Sequence, residues 1–152
     1  RPDTVLNRAQ FCKMAVYAMD GSGELGRYST VTIFPDVNPS HWASAYINMA
    51  SRKGIISGFA DGKFKPGQTV TAGQAVTILM RGLGYKDEDM GGVWPQSYMA
   101  EAQTNGLLKS TGITSAYAGV TRAQAAKLFM NLFGAKHGKG DDLGATQGML
   151  IG

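Results

Sequence analysis

Apolar residues recur at helical spacing behind three similar polar starts: Asn7-Arg8-Ala9-Gln10, Thr71-Ala72-Gly73-Gln74 and Thr121-Arg122-Ala123-Gln124. Each opens with Asn or Thr and places Gln three residues later, which is the pattern of a capping box. There the first side chain accepts an early backbone N–H and the Gln reaches back to the cap. The runs that follow are Phe11, Cys12, Met14 and Ala15; Ala75, Val76, Ile78 and Leu79; and Ala125, Ala126, Leu128 and Phe129. Their offsets match, so three helices each turn a wide apolar face inward. Glycines at Gly82 and Gly84, and at Gly134, are expected to stop the second and third.

A second helix type also recurs. Trp42–Gly54 and Trp94–Gly106 share Trp42/Trp94, Tyr46/Tyr98, Ala50/Ala102 and Gly54/Gly106, one stripe along one face. Each glycine leads to an apolar pair, Ile55-Ile56 or Leu107-Leu108, and then through a loop to a capping-box helix. The repeating unit is helix, loop, helix, about 50 residues long. One such domain fills 1–152: the second half of a repeat over 1–20, a complete repeat over 34–85, a complete but divergent one over 93–134, and a first half over 137–152. The expected fold is all-α, a pseudo-threefold arrangement of helix-loop-helix repeats. The termini supply the two halves of a split repeat, which would pair within one chain or between chains. A ragged boundary is the plainer reading of the same ends.

Composition narrows the function. Hydrophobic residues make up 43% of 152, and that length supports one core without metal or disulfide. The 21 glycines imply short elements and many turns. A single cysteine, Cys12, excludes an internal disulfide framework, and two distant histidines argue against a histidine-rich metal site. No apolar stretch is long enough to span a membrane. The chain opens at Arg1 without a signal peptide, which reads as a mature product or a piece of something longer. The net charge of +4 mildly favours anionic partners, but the basic residues are scattered, with no Lys/Arg stripe to suggest nucleic acid. No nucleophile–base or carboxylate pair stands at a telling spacing, so no enzyme and no cofactor are expected.

Phe34-Pro35-Asp36-Val37, His41-Trp42-Ala43, Gly54-Ile55-Ile56-Ser57-Gly58, Phe64-Lys65-Pro66 and Thr71-Ala72-Gly73-Gln74-Ala75 fall in one order. That order resembles the S-layer homology family. The third copy keeps Trp94, Gly106 and Thr121-Arg122-Ala123-Gln124 but loses the aromatic-x-Pro loop, and Gly21–Ile33 is an unmatched insertion. The resemblance implies three helical units that anchor surface proteins non-covalently to the bacterial envelope. The implied location is extracellular, at the cell surface, S-layer or wall, as part of a larger surface protein. The implied ligand is a secondary cell-wall polysaccharide carrying ketal-linked pyruvate, held in grooves between units, or else modified peptidoglycan.

The candidate polysaccharide-binding residues are Arg8, Arg122, Trp42, Trp94, Asp36, Gln10 and Gln124. An arginine at a helix start offers a planar fork beside unsatisfied backbone N–H groups, a place for a carboxylate. Arg8 and Arg122 fit, whereas Ala72-Gly73 departs from the pattern, so its groove is expected to be weak or silent. Tryptophan offers a flat face to sugar C–H groups, although helix packing explains Trp42 and Trp94 about as well. Asp36 would orient an arginine or accept from hydroxyls, or merely form a turn. The glutamines cap more readily than they bind. Cys12, Met14, Met19, Met49, Met80, Met99 and Met130 read as core, His41 as a solvated turn, and Asp87-Glu88-Asp89 as an acidic bend rather than a calcium site. A structural module assembling surface arrays through protein–protein contacts, with self-association through the half-repeats, is the competing function.

Overall fold

The computed structural model describes residues 1–19 and 23–143. Five α-helices account for its regular structure: α1 (Arg8–Met19), α2 (Ser44–Arg52), α3 (Ala72–Gly82), α4 (Gln96–Thr104) and α5 (Arg122–Leu143). Short 3-10 turns occupy Leu25–Tyr28 and Asp87–Asp89, and no strand occurs among the described residues. The all-α expectation holds at this level.

All three capping boxes form. Asn7 Oδ1, Thr71 Oγ1 and Thr121 Oγ1 accept from the backbone of Gln10, Gln74 and Gln124. The three Gln Oε1 atoms in turn accept from the backbone of Asn7, Thr71 and Thr121. Helices α1, α3 and α5 begin at one meeting point. The Leu6 N–H donates to the Val120 carbonyl, Val120 N–H to Val70, and Val70 N–H to Leu6, closing a ring of three bonds at 2.9–3.1 Å. Isolated antiparallel bridges Val5–Thr121, Asn7–Thr69 and Thr71–Gly119 flank it. All three ring side chains, Leu6, Val70 and Val120, are buried.

Helix α2 packs on α1 and α4 on α3. Both leading helices are shorter than their sequence match, because Trp42 and Trp94 stand just ahead of the first turn. Gly54 and Gly106 end them with φ of +78° and +89°, conformations that cost glycine little. The insertion is docked by buried Asn48, whose Nδ2 donates to the carbonyls of Tyr28 and Val31.

Two expectations need correction. Helix α5 runs through Gly134 to Leu143; an isolated glycine costs a helix only about 1 kcal/mol, too little to end it without a competing cap. Met130 is 64% exposed rather than core. Its counterparts on α1 and α3, Val16 and Met80, lie under α2 and α4, whereas no described helix covers that side of α5. The expected first-half repeat over 137–152 lies largely outside the described residues.

The loop after α2 makes its closest approach at Gly58, where an added Cβ would stand 2.6 Å from Phe34 Cε1 and 2.9 Å from the Lys63 carbonyl. Gly58→Ala is therefore expected to lose about 1–3 kcal/mol of stability, read by urea unfolding.

Candidate functional site

Two grooves flank α1 and α3, and matching positions line them. The first, about 440 Å³, takes Arg8 from the start of α1, Gln74, Thr77, Ile78 and Arg81 from α3, and Trp94 ahead of α4. The second, about 650 Å³, takes Arg122 from the start of α5, Gln10, Lys13, Met14 and Tyr17 from α1, and Trp42 ahead of α2. Each groove thus combines one helix start, the body of another capping-box helix, and the tryptophan that follows that body in the chain. The structure brings together Arg8 with Trp94, and Arg122 with Trp42 and Gln10. Asp36 and Gln124 line neither groove.

The tryptophans are 54% (Trp42) and 49% (Trp94) exposed, so packing does not consume their faces. Trp94 donates its indole N–H to Thr77 Oγ1 at 2.8 Å. Trp42 stacks with His41, whose Nδ1 accepts the Ala43 N–H as a turn histidine does.

The arginines differ sharply. Arg8 is 5% exposed, donates from Nε to the Phe64 carbonyl and from Nη2 to the Ser57 carbonyl, and lies 4.4–4.5 Å from the Phe64 and Phe59 ring centroids. Burial pulls its pKa down to about 10, opposed by Cys12 and Asp36, so it stays charged at neutral pH. Arg122 is exposed, and among the described residues its guanidinium has no hydrogen-bond or ion-pair partner. Ala72, at the third such position, is buried and offers no cation.

The expected free backbone donors are absent. The Arg8 and Ala9 N–H groups donate to Gln68 and Pro66 carbonyls, and those of Arg122 and Ala123 to Thr4 and Pro2. The same contacts that join the helix starts use up these donors, leaving any anion to the side-chain cations. Gln10 and Gln124 likewise commit their carbonyl oxygens to caps.

Asp36 ties a loop. Its Oδ1 and Oδ2 accept the Phe64 and Lys65 N–H groups at 2.9 and 2.8 Å, and the Phe64 carbonyl in turn holds Arg8. Burial raises the Asp36 pKa, but these backbone bonds, its own N–H and Lys63 outweigh it and leave it below the ordinary carboxylate range. Cys12 is buried core, its thiol pushed up to about 12 by burial with Arg8 opposing.

Sequence reasoning missed Lys13, Tyr17, Arg81 and Asp87. Lys13 and Tyr17 lie three and seven residues after Gln10, on the same face, and Arg81 lies seven after Gln74; that spacing was the available signal. The Lys13 ammonium stands 5.7–5.9 Å from the ring centroids of Tyr17, Trp42 and Tyr46.

The S-layer homology domain model matches residues 33–76, spanning Phe34, Asp36, Trp42, the Gly58 loop and the α3 capping box. The chain carries an S-layer homology domain. It is 33% identical over 131 residues to the middle cell wall protein of Brevibacillus brevis, covering 85% of this chain and 12% of that protein. It is 39% identical over 94 residues to a cell surface protein of Thermoanaerobacter kivui, covering 62% and 12%. To the surface layer protein of Brevibacillus choshinensis it is 33% identical over 109 residues, covering 70% and 10%. The chain therefore spans roughly a tenth of these relatives' length. Like other S-layer homology chains it is extracellular, at the bacterial cell surface. No described helix is long and apolar enough to cross a membrane.

Asp36→Asn removes the charge and one acceptor. At pH 7 it is expected to cost about 1–2 kcal/mol in denaturant unfolding. A depressed carboxylate contributes stability above its unfolded pKa and loses it as pH falls through the folded one. The gap between wild type and variant should therefore narrow below roughly pH 4.

Proposed function

We propose that this S-layer homology chain anchors a larger surface protein to the envelope by holding an anionic saccharide, with no covalent or catalytic step. The second groove carries the reading. It offers two cations, Arg122 and Lys13, no lining carboxylate, and the half-exposed rings of Trp42 and Tyr17. Aromatic faces suit sugar C–H surfaces, while a planar guanidinium suits a carboxylate. A wall polysaccharide carrying ketal-linked pyruvate combines both features; modified peptidoglycan is the other envelope polymer of this kind. Arg8 and Trp94 give the first groove the same elements in a more enclosed form. Two modest sites on one rigid body would share a long polymer, so avidity exceeds either affinity.

The ring at Leu6, Val70 and Val120 and the matching linings of the two grooves support a pseudo-threefold arrangement of units. Its closure by a split repeat, within or between chains, is part of the proposal. One observation favours the assembly reading beside the anchor: Met130 and Phe133, 64% and 55% exposed, form an apolar stripe on α5. Sedimentation velocity separates the two closures. A monomer at all concentrations supports intramolecular closure, and a concentration-dependent dimer supports exchange between chains.

The only two tryptophans sit in the two grooves, so their fluorescence reports glycan binding directly. Titration with solubilised wall polysaccharide is expected to shift the emission, more weakly as salt rises. Arg122→Ala should weaken binding by about 1.5–3 kcal/mol. Unchanged affinity in Arg122→Ala would remove the second groove from the account.

A further inference from the structure

The two grooves share a plan but not a charge pattern. Tyr17 in the second groove is replaced in the first by Arg81. That arginine does not stand alone. Its Nη1 donates to Ser57 Oγ at 3.4 Å, while Arg8 Nη2 donates to the carbonyl of the same serine at 3.4 Å. Two guanidinium groups thus converge on Ser57 at the groove wall. A paired fork of this kind suits a carboxylate better than a single arginine does.

A carboxylate is already there. Asp87, in the 3-10 turn that links α3 to α4, meets Arg81 bidentately, with Nε–Oδ1 at 3.2 Å and Nη2–Oδ2 at 2.9 Å. The buried Tyr98 hydroxyl donates to Asp87 Oδ1 as well. The two partners differ in burial: the Arg81 side chain is mostly enclosed, whereas most of Asp87 faces water. Asp87 already faces water, so leaving the fork changes its own solvation little, while the bidentate contact makes it an effective competitor for Arg81 as long as it stays. Departure would leave Arg81 facing the groove beside Arg8.

We propose that Arg81 is an anion-binding residue of the first groove and that Asp87 is its internal competitor, holding the fork until a ligand carboxylate displaces it. The second groove has no such carboxylate, so the two grooves differ in affinity, with the second filled first. This rests on the anionic-saccharide reading above. The apparent affinity of the first groove is reduced by the fraction of time Arg81 is occupied by Asp87.

The test uses the double variant Lys13→Ala, Arg122→Ala as background, which removes both cations of the second groove. The probe is methyl 4,6-O-(1-carboxyethylidene)-glucopyranoside, a pyruvate-ketal sugar, with its uncharged methyl ester as control, both titrated by calorimetry. Adding Asp87→Asn is expected to tighten binding of the acid about five- to tenfold and leave the ester unchanged, and further adding Arg81→Ala should abolish the gain. Asp87→Ser serves equally where the amide disturbs Tyr98, and a thermal melt confirms that each variant is folded. No gain on neutralising Asp87, or an equal gain with the ester, overturns the inference. In that case wild-type binding of the acid through Arg122 would still stand. Wild type and variants all failing to bind the acid would instead overturn the anionic-saccharide reading itself, and this inference with it.

Discussion

Everything in this structure depends on where three helix starts are forced to meet. The backbone ring of Leu6, Val70 and Val120 closes only if the segments ahead of α1, α3 and α5 come together at one point. An early helical N–H has no partner within its own helix, so burying three such ends would be costly unless each were satisfied from outside. Here the satisfaction is mutual: the approach to one helix supplies carbonyls to the first turn of another. Arg8 and Ala9 are served by residues 66 and 68, Ala72 and Gly73 by 116 and 118, and Arg122 and Ala123 by 2 and 4. Grooves then follow from geometry, since the first helical residue of one segment necessarily looks across the body of its neighbour.

The same constraint fixes which chemistry is left for a ligand. With the backbone donors and the three glutamine carbonyls committed, recognition falls to side chains that project past the ring. Arg122 and Lys13 remain as cations without carboxylate partners among the described residues, set beside half-exposed aromatic faces. Arg8, one position into its helix like Arg122, is instead largely covered by the Phe59–Phe64 loop, which Asp36 holds in place, and lines the more enclosed first groove. Equivalent sequence positions therefore acquire different roles because the loop over one of them belongs to a complete unit.

The parts legible in the sequence were the local ones. Asn7, Thr71 and Thr121 with their glutamines announced helix starts, because a capping box is written in four residues. Gly54 and Gly106 announced helix ends for the same reason. The pairing of Trp42 with Trp94 located both grooves without showing that each tryptophan stands ahead of its helix. What stayed hidden depends on contacts across long separations: the ring itself, the Asn48 anchor on the insertion, the burial of Arg8 under residues more than fifty positions away, and the meeting of Arg81 with Asp87. Gly134 misled because a lone glycine signals a stop only when the chain has a reason to turn, and along α5 it continues.

The most direct test of the account is co-sedimentation of the chain with Gram-positive cell-wall sacculi, before and after chemical removal of the wall polysaccharide. The anchor account expects pelleting with intact sacculi that is lost once the polysaccharide is stripped. Failure to pellet with either preparation, or equal pelleting with both, would contradict it.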